Sequence, residues 1–341
     1  MKSESSNRVI MAVPGDNGAC GRYRILNPAR CAQEILNLDV TISPAGKYRM
    51  MAKCDTLWIQ RVCSKLTLEA IRDLKNRTGI SIFCDYDDLT WTFENETIPE
   101  YNVCSKRIDT ESNMSAMKDM LEYTVDRVSV STEFLKKSIS QFYPEDRLTV
   151  LPNCLRRTEW SFSLDDRIPA KPIFGFFGSA THVGSAKSRD LGDFDTGLVQ
   201  YLSDKPILTM GFKPWMFDQA EVHRWAPMWM YPQHFHNIGR RCTFILAPLR
   251  ENIFNKCKSD LKYLECAAIG RVCLCSSFPD SPYESIAHEY QKIPAGATKQ
   301  TVKYIVDRAI QNYDEILEHQ YRALQSRWLE SNLDKYSKFL Q

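Results

Sequence analysis

The chain lacks any apolar run approaching the length of a membrane span, and its opening residues, MKSESSNRVIMAV, are too polar for a signal peptide. It therefore reads as a soluble cytoplasmic protein, and the three Asn-x-Ser/Thr triplets that begin at Asn76, Asn95 and Asn113 carry no weight as glycosylation sites. There is no C-x2-C pair and no His/Cys cluster with ligand spacing, which argues against a zinc site. The 12 cysteines are scattered, several of them in apolar strand-like runs (Cys84, Cys242, Cys273, Cys275), as expected of buried reduced thiols rather than a disulfide scaffold. Neither a polybasic tail nor an acidic block is present, and 44 basic against 42 acidic residues leave a net charge of +2. That balance neither requires nor excludes a nucleic-acid partner. Internal repeats and low-complexity tracts are also absent.

What is present is enough apolar material, 43% of 341 residues, for two cores of ordinary size. The first half alternates strands and helices. Arg8–Val13, Thr56–Gln60, Ile80–Cys84, Arg127–Ser131 and Leu148–Leu151 read as strands. Helices are expected from near Leu26, over Leu66–Asn76, over Met114–Tyr123 and over Glu133–Phe142. Charge and proline break the pattern over Arg156–Pro172, which reads as a linker. A second series follows at Ile173–Phe177, Ile207–Met210, Phe244–Ala247 and Val272–Cys275, then an amphipathic helical tail from Thr298 to Gln341. Such alternation predicts an α/β chain with two doubly wound, mainly parallel sheets. The expected boundaries are 1–160, 161–318, and a C-terminal helix over 319–341 packing back on the first domain.

The most informative stretch is APLRENIFNKCKSDLKYLECAAIG, from Ala247 to Gly270: a strand, a polar loop, then a helix whose start is rich in Asn, Lys, Ser and Asp. Such a start offers unpaired N–H groups and the positive end of the helix dipole, a setting for phosphate. Lys256, Lys258 and Lys262 add positive charge, and Glu265 follows one to two turns on. Spacing alone equally allows Ser259 as an N-cap, Asp260 as a first-turn residue and Lys262 with Glu265 as a solvated face.

FNKCKSDLKYLECAAIGRVCLCSSF resembles the segment FNxxKSxLKxLEYAALGxPVIAS of GT-B glycosyltransferases of the group 1, family 4-like type. Five further elements resemble the same family in the same order: GDNGACGRYRILNPAR, FCDYDDLTW, VDRVSVSTEFLKKSI, LTVLPNCL and FGFFGSATH. The resemblance implies two Rossmann-like domains facing each other across a cleft, and a metal-independent transferase without a cofactor. Its donor substrate would be a nucleotide-diphosphate sugar, with UDP favoured. Glu265 falls on the second Glu of the family's E-x7-E motif and is implied on the donor ribose, while Cys257 replaces the first Glu. By the same resemblance Lys258, then Lys262, would meet the diphosphate, with Ser259 and its neighbours offering N–H groups. Gly178 and Ser179 belong to the glycine turn opening the second domain, where Gly178 permits close backbone approach; His182 could reach phosphate or sugar, or serve structure alone.

The loop Gly18–Arg24, with Gly21, Arg22, Tyr23 and Arg24, has three open readings: closing over phosphates, contacting the acceptor, or turning the chain. The acidic turn Asp85-Tyr86-Asp87-Asp88 is the expected source of a general base, because crowded carboxylates raise one another's pKa. Capping the following turn is the alternative, and a retaining enzyme would need no such base. The GCGRYRILNPAR opening resembles bacteriophage-encoded members, which points to the hydroxymethyl group of modified cytosine in double-stranded DNA as acceptor. Arg22, Arg24, Arg30, Lys47, Arg49, Trp215 and Trp229 would supply basic and aromatic contacts. Surface-polysaccharide assembly and a catalytically idle binding module are the alternatives.

Overall fold

The computed structural model describes residues 8–45, 54–62, 65–89, 118–141, 143–162, 171–178, 197–211, 213–214 and 216–341. The chain divides into two compact units. The first comprises Met1–Cys154, Cys257–Ser259 and Leu329–Gln341; the second comprises Leu155–Lys256 and Asp260–Trp328.

The first unit holds strands β1 (Ile10–Val13), β2 (Val40–Ile42), β3 (Thr56–Gln60), β4 (Ser81–Tyr86), β5 (Arg127–Val130) and β6 (Leu148–Val150). They form one parallel sheet in the order β2-β1-β3-β4-β5-β6. Strand order reverses between β1 and β3, the position where open α/β sheets leave a crevice at their carboxyl ends. β3 and β4 are buried almost throughout, as central strands covered on both faces must be. Among the helices are α1 (Asn27–Glu34), entered through a π-helical turn at Arg22–Leu26, α2 (Lys65–Thr78) and α3 (Glu133–Ile139). The chain's last helix, α9 (Leu333–Leu340), packs Tyr336 and Phe339 against Trp58 and Phe83, with ring centroids 5.3–6.4 Å apart. Arg127 donates to the carbonyls of Lys338 and Phe339 at 3.1 and 2.8 Å, and Arg8 donates to that of Gln341 at 3.1 Å. Two cations thus meet the unpaired carbonyls at the negative end of α9.

The second unit contains β7 (Phe174–Phe176), β8 (Ile207–Met210), β9 (Glu221–His223), β10 (Phe244–Ala247), β11 (Val272–Ser277) and β12 (Lys292–Pro294). Their parallel order is β12-β11-β10-β7-β8-β9, with the reversal between β7 and β10. Gly178 follows β7, and the Ala247–Gly270 segment follows β10, so both leave the sheet at its crevice. Helices α4 (Gly197–Leu202), α5 (Tyr231–Gly239), α6 (Leu261–Ala268), α7 (Lys299–Gln311) and α8 (Tyr313–Gln325) surround this sheet. Its core joins Phe174, Phe244, Leu246 and Leu274 to Val302 and Ile316 of α7 and α8.

Every strand expected from the sequence forms, with ends shifted by two residues or fewer. Missing from that expectation are β2, β9 and β12, each at a sheet edge and each with at least one exposed residue, so that no apolar run marks them. The helix expected over Met114–Tyr123 is helical at 118–123, and its earlier residues lie outside those described. The expected linker begins as structure: Arg157–Trp160 forms a helical turn, and Trp160 is buried against Tyr231 and Phe235 of α5. The two compact units meet after Cys154 and after Trp328.

Candidate functional site

Two polar groups occupy the positions that the sequence singles out, one in each unit. In the first, Asp85 lies next to the end of β4 with no exposed surface. Its carboxylate accepts from Arg24 Nε at 2.9 Å, Arg24 Nη2 at 2.6 Å and the Ser129 hydroxyl at 2.6 Å. Burial pushes the Asp85 pKa up, and Arg24 only partly offsets this. Arg24 is buried as well, and its remaining nitrogen donates to the Leu151 carbonyl and to Asn153 Oδ1. Asn153 in turn donates to Ser259 Oγ at 2.7 Å. Asp85 therefore stands inside the fold as the counter-ion of Arg24, apart from any surface where a substrate proton could reach it. Arg24, expected to face an acceptor or phosphate, is likewise turned inward, and it braces Ser259 through Asn153.

Asp87 and Asp88 sit beyond the carboxyl end of β4 and share Arg61. Arg61 binds both Asp87 oxygens through Nε and Nη2, reaches Asp88 at 3.1 Å and lies 3.6 Å from Asp16. It follows β3 with φ of +53°, an uncommon conformation for a non-glycine residue, maintained here by the surrounding polar group. Burial raises the Asp87 pKa, but the Arg61 guanidinium more than reverses the effect and holds the carboxyl below its ordinary value. Asp87 is thus ionised and paired, which suits orientation better than proton abstraction. Asp88 is the more accessible of the two carboxylates, with Lys258 Nζ 3.9 Å away.

Cys20 joins this group. Its sulfur and the carboxylates of Asp87 and Asp88 lie within 4.8 Å of one another, and among the described residues they form the one set with metal-ligand chemistry. Burial, then Asp87, raises the Cys20 thiol well above its usual value, so it is protonated and a poor ligand. Arg61 already occupies the carboxylates, leaving the set better suited to a guanidinium than to a metal ion.

Asp16 closes the loop after β1. Its Oδ1 accepts from Gly18 N at 2.7 Å and Gly21 N at 3.1 Å, and a Cβ on Gly21 would lie 2.0 Å from the Asp16 carbonyl oxygen. Only glycine fits there. Gly21→Ala is expected to force this loop open at a cost of about 1–3 kcal/mol, read as a lower denaturation midpoint. Arg22 and Tyr23 lie beside it in the π turn, both buried.

The second unit carries the other group. Glu265 of α6 is buried, and its Oε2 accepts from Lys262 Nζ at 2.6 Å and from the Tyr231 hydroxyl at 3.2 Å. Lys262 also donates to the Tyr231 hydroxyl at 3.1 Å and stands over the Phe235 ring at 4.7 Å. Burial lowers the Lys262 pKa, but Glu265 and Tyr231 together raise it well above normal, so the lysine is a fixed cation. The Tyr231 hydroxyl is pushed up by burial first and by Glu265 second, and remains protonated. The pair that spacing left open as a solvated face is therefore an anchored acid–base–phenol triad.

Asp260 precedes α6 without capping it; instead both its oxygens accept from Arg327 at 2.7 Å. Cys257, at the position of the motif's first Glu, is fully buried, and burial pushes its thiol up to about 12. Its carbonyl accepts from Thr132 Oγ1 at 3.0 Å. A buried neutral thiol cannot replace a carboxylate on a sugar hydroxyl. Ser179 and His182 lie outside the described residues, as do Lys47, Arg49 and Trp215. Sequence reasoning missed Arg61 and Asn153; a cation directly after the apolar strand TLWIQ was the only available signal for Arg61.

Compared by sequence, the chain matches no protein-family model and no curated protein. Compared by structure, it matches HepE of Anabaena, solved with UDP and glucose, at a TM-score of 0.64 and 8% identity over 98% of this chain and 99% of that one. WaaG, a glycosyltransferase involved in lipopolysaccharide biosynthesis, matches at 0.58 and 9% identity over 98% of this chain and 99% of its own. Sucrose-phosphate synthase of Thermosynechococcus elongatus matches at 0.56 and 11% identity over 97% and 98% of the two chains. The chain has the GT-B fold. Identities this low establish the architecture and leave the chemistry to the residues of this chain.

Proposed function

We propose that the protein is a glycosyltransferase that takes a nucleotide-diphosphate sugar, a UDP-sugar first, as its donor. The observation that carries this reading is Glu265 on α6, directly after the segment that leaves β10 at the strand-order reversal. Support comes from the whole-length likeness to HepE, whose structures hold UDP, UDP and glucose, or UDP-glucose. Glu265 would accept from the ribose hydroxyls, with Lys262 and Tyr231 fixing its carboxylate. Lys258, a flexible cation now 3.9 Å from Asp88, would move onto the diphosphate and neutralise the charge that grows there as the glycosidic bond breaks. Gly178 would admit the donor's phosphates close to the backbone. Asp88 is the carboxylate available to an inverting route; a retaining route would leave it to orient Arg61 and Lys258. The reading invokes neither a metal nor a cofactor.

For the acceptor, a glycan precursor of surface assembly fits better than cytosine in phage DNA. Arg22 and Arg24, two of the cations assigned to DNA, are buried, and Arg24 is committed to Asp85. A salt series separates the two: a DNA acceptor requires affinity that falls steeply with ionic strength, and a neutral glycan does not.

The donor reading is tested by thermal unfolding with UDP, GDP, ADP and CMP. A nucleotide at 100 times its Kd adds about 2.7 kcal/mol to the folded state, so one of the four, UDP first, should raise Tm by several degrees. Glu265→Ala should abolish that rise. No rise with any nucleotide would sink the donor assignment and favour an idle module.

A further inference from the structure

Ten large hydrophobic side chains are exposed among the described residues, and four of them, Val222, Trp225, Trp229 and Met230, fall within nine positions running from β9 to the start of α5. Solvent-exposed apolar residues are ordinary when scattered, but a cluster containing two tryptophans marks a contact surface. Trp225 is anchored: its indole lies so close to Gly211 that a Cβ there would be 1.6 Å from Nε1, and its ring packs 6.4 Å from that of Tyr231. Trp229 is 72% exposed. The loop between them is held by His234 Nε2, 2.7 Å from the Arg224 carbonyl oxygen.

Along the sequence, the charge that follows β9 has one sign. From Val222 to Arg250 there is no aspartate or glutamate, while Arg224, Arg240, Arg241 and Arg250 lie in the same stretch. The acids just before it are already paired: Glu221 binds Arg241 through both oxygens at 2.9 Å, and Asp218 lies 3.9 Å from Lys213. An apolar, indole-rich loop bearing Arg224 and bordered by compensated acids is complementary to an anionic surface that also offers an apolar layer.

We propose that the Val222–Met230 loop docks the protein on an anionic lipid bilayer, with Trp229 and Met230 entering the headgroup region and Arg224 meeting lipid phosphates. Tryptophan is favoured at that depth because its ring is apolar while its N–H remains hydrated. No helix among the described residues is long and apolar enough to cross a membrane, so the contact is peripheral. Two exposed indoles, one thioether and one arginine give reversible binding rather than a permanent anchor. This inference stands apart from the glycosyltransferase reading and survives its failure.

The test is co-sedimentation of the full chain with phosphatidylglycerol vesicles, with phosphatidylcholine vesicles as the neutral control and an oligonucleotide duplex as the competing polyanion. Binding to the anionic vesicles should exceed binding to the neutral ones severalfold. The double substitution Trp229→Ser, Met230→Ser should reduce it by about tenfold, with Tm unchanged because both side chains are exposed. Arg224→Gln should weaken binding and flatten its salt dependence. Equal binding to both vesicle types, undiminished binding by the double variant, or retention of the duplex without retention on vesicles would each overturn the proposal.

Discussion

Replacing Arg24 with methionine should lower the stability of the first unit by about 3–5 kcal/mol, the loss expected when one partner of a buried ion pair is removed. Asp85 would keep its Ser129 bond and lose both guanidinium bonds, leaving an uncompensated charge with no exposed surface. For a unit of this size the midpoint of thermal unfolding should fall by about 10 °C. The deficit should also depend on pH. Asp85 already has a pKa above its ordinary value because burial outweighs Arg24, so the native state binds its proton more tightly than the unfolded chain. Stability from such a group is fullest at acid pH and declines as pH rises past the unfolded value of about 3.9. Removing Arg24 raises the pKa further, so the deficit should be smaller near about pH 4 than near about pH 8. Asp85→Asn introduced beside Arg24→Met should recover part of the loss, because the buried charge disappears with its partner. An Arg24→Met protein as stable as the parent at neutral pH would show that the pair does not hold the unit together.

The second large effect concerns turnover. Lys258→Ala should lower kcat by about 10²–10³-fold, the usual penalty for losing one group that stabilises transition-state charge. Its contact with Asp88 at 3.9 Å, a partly exposed pair, should contribute less than about 1 kcal/mol to stability. Lys258→Arg should restore part of the rate, because charge rather than shape is what the diphosphate requires. Glu265→Gln should act differently, raising KM for the donor more than it lowers kcat, since the ribose contacts proposed for Glu265 would be made equally in the ground and transition states. A kcat for Lys258→Ala within a few fold of the parent would remove that residue from the chemistry, whatever the donor.

Much of the fold was legible in the sequence because its central strands are short, apolar and regularly spaced. TLWIQ, FILA and ILTM could be read directly, and each forms the strand expected of it. The edge strands β2, β9 and β12 were not legible, since each leaves at least one of its three residues exposed and so forms no apolar run. The Ala247–Gly270 segment likewise announced a loop and a helix after a strand, and the structure has both.

What the sequence determined by itself was the architecture, two parallel α/β sheets, and the short list of polar residues worth examining. Strand burial and loop composition are local properties that spacing encodes. Only the tertiary structure decided which of those polar groups face inward. Asp85 and Arg24 stand 61 positions apart and cancel each other in the interior, and Arg61 becomes the partner of Asp87 across 26 positions. Lys262 and Glu265 sit one helical turn apart, yet their bond to Tyr231, 34 positions from Glu265, turns an open question of spacing into a fixed triad. Ion pairing depends on distance in space and on the water excluded around it, and neither quantity is written in the order of residues along a chain.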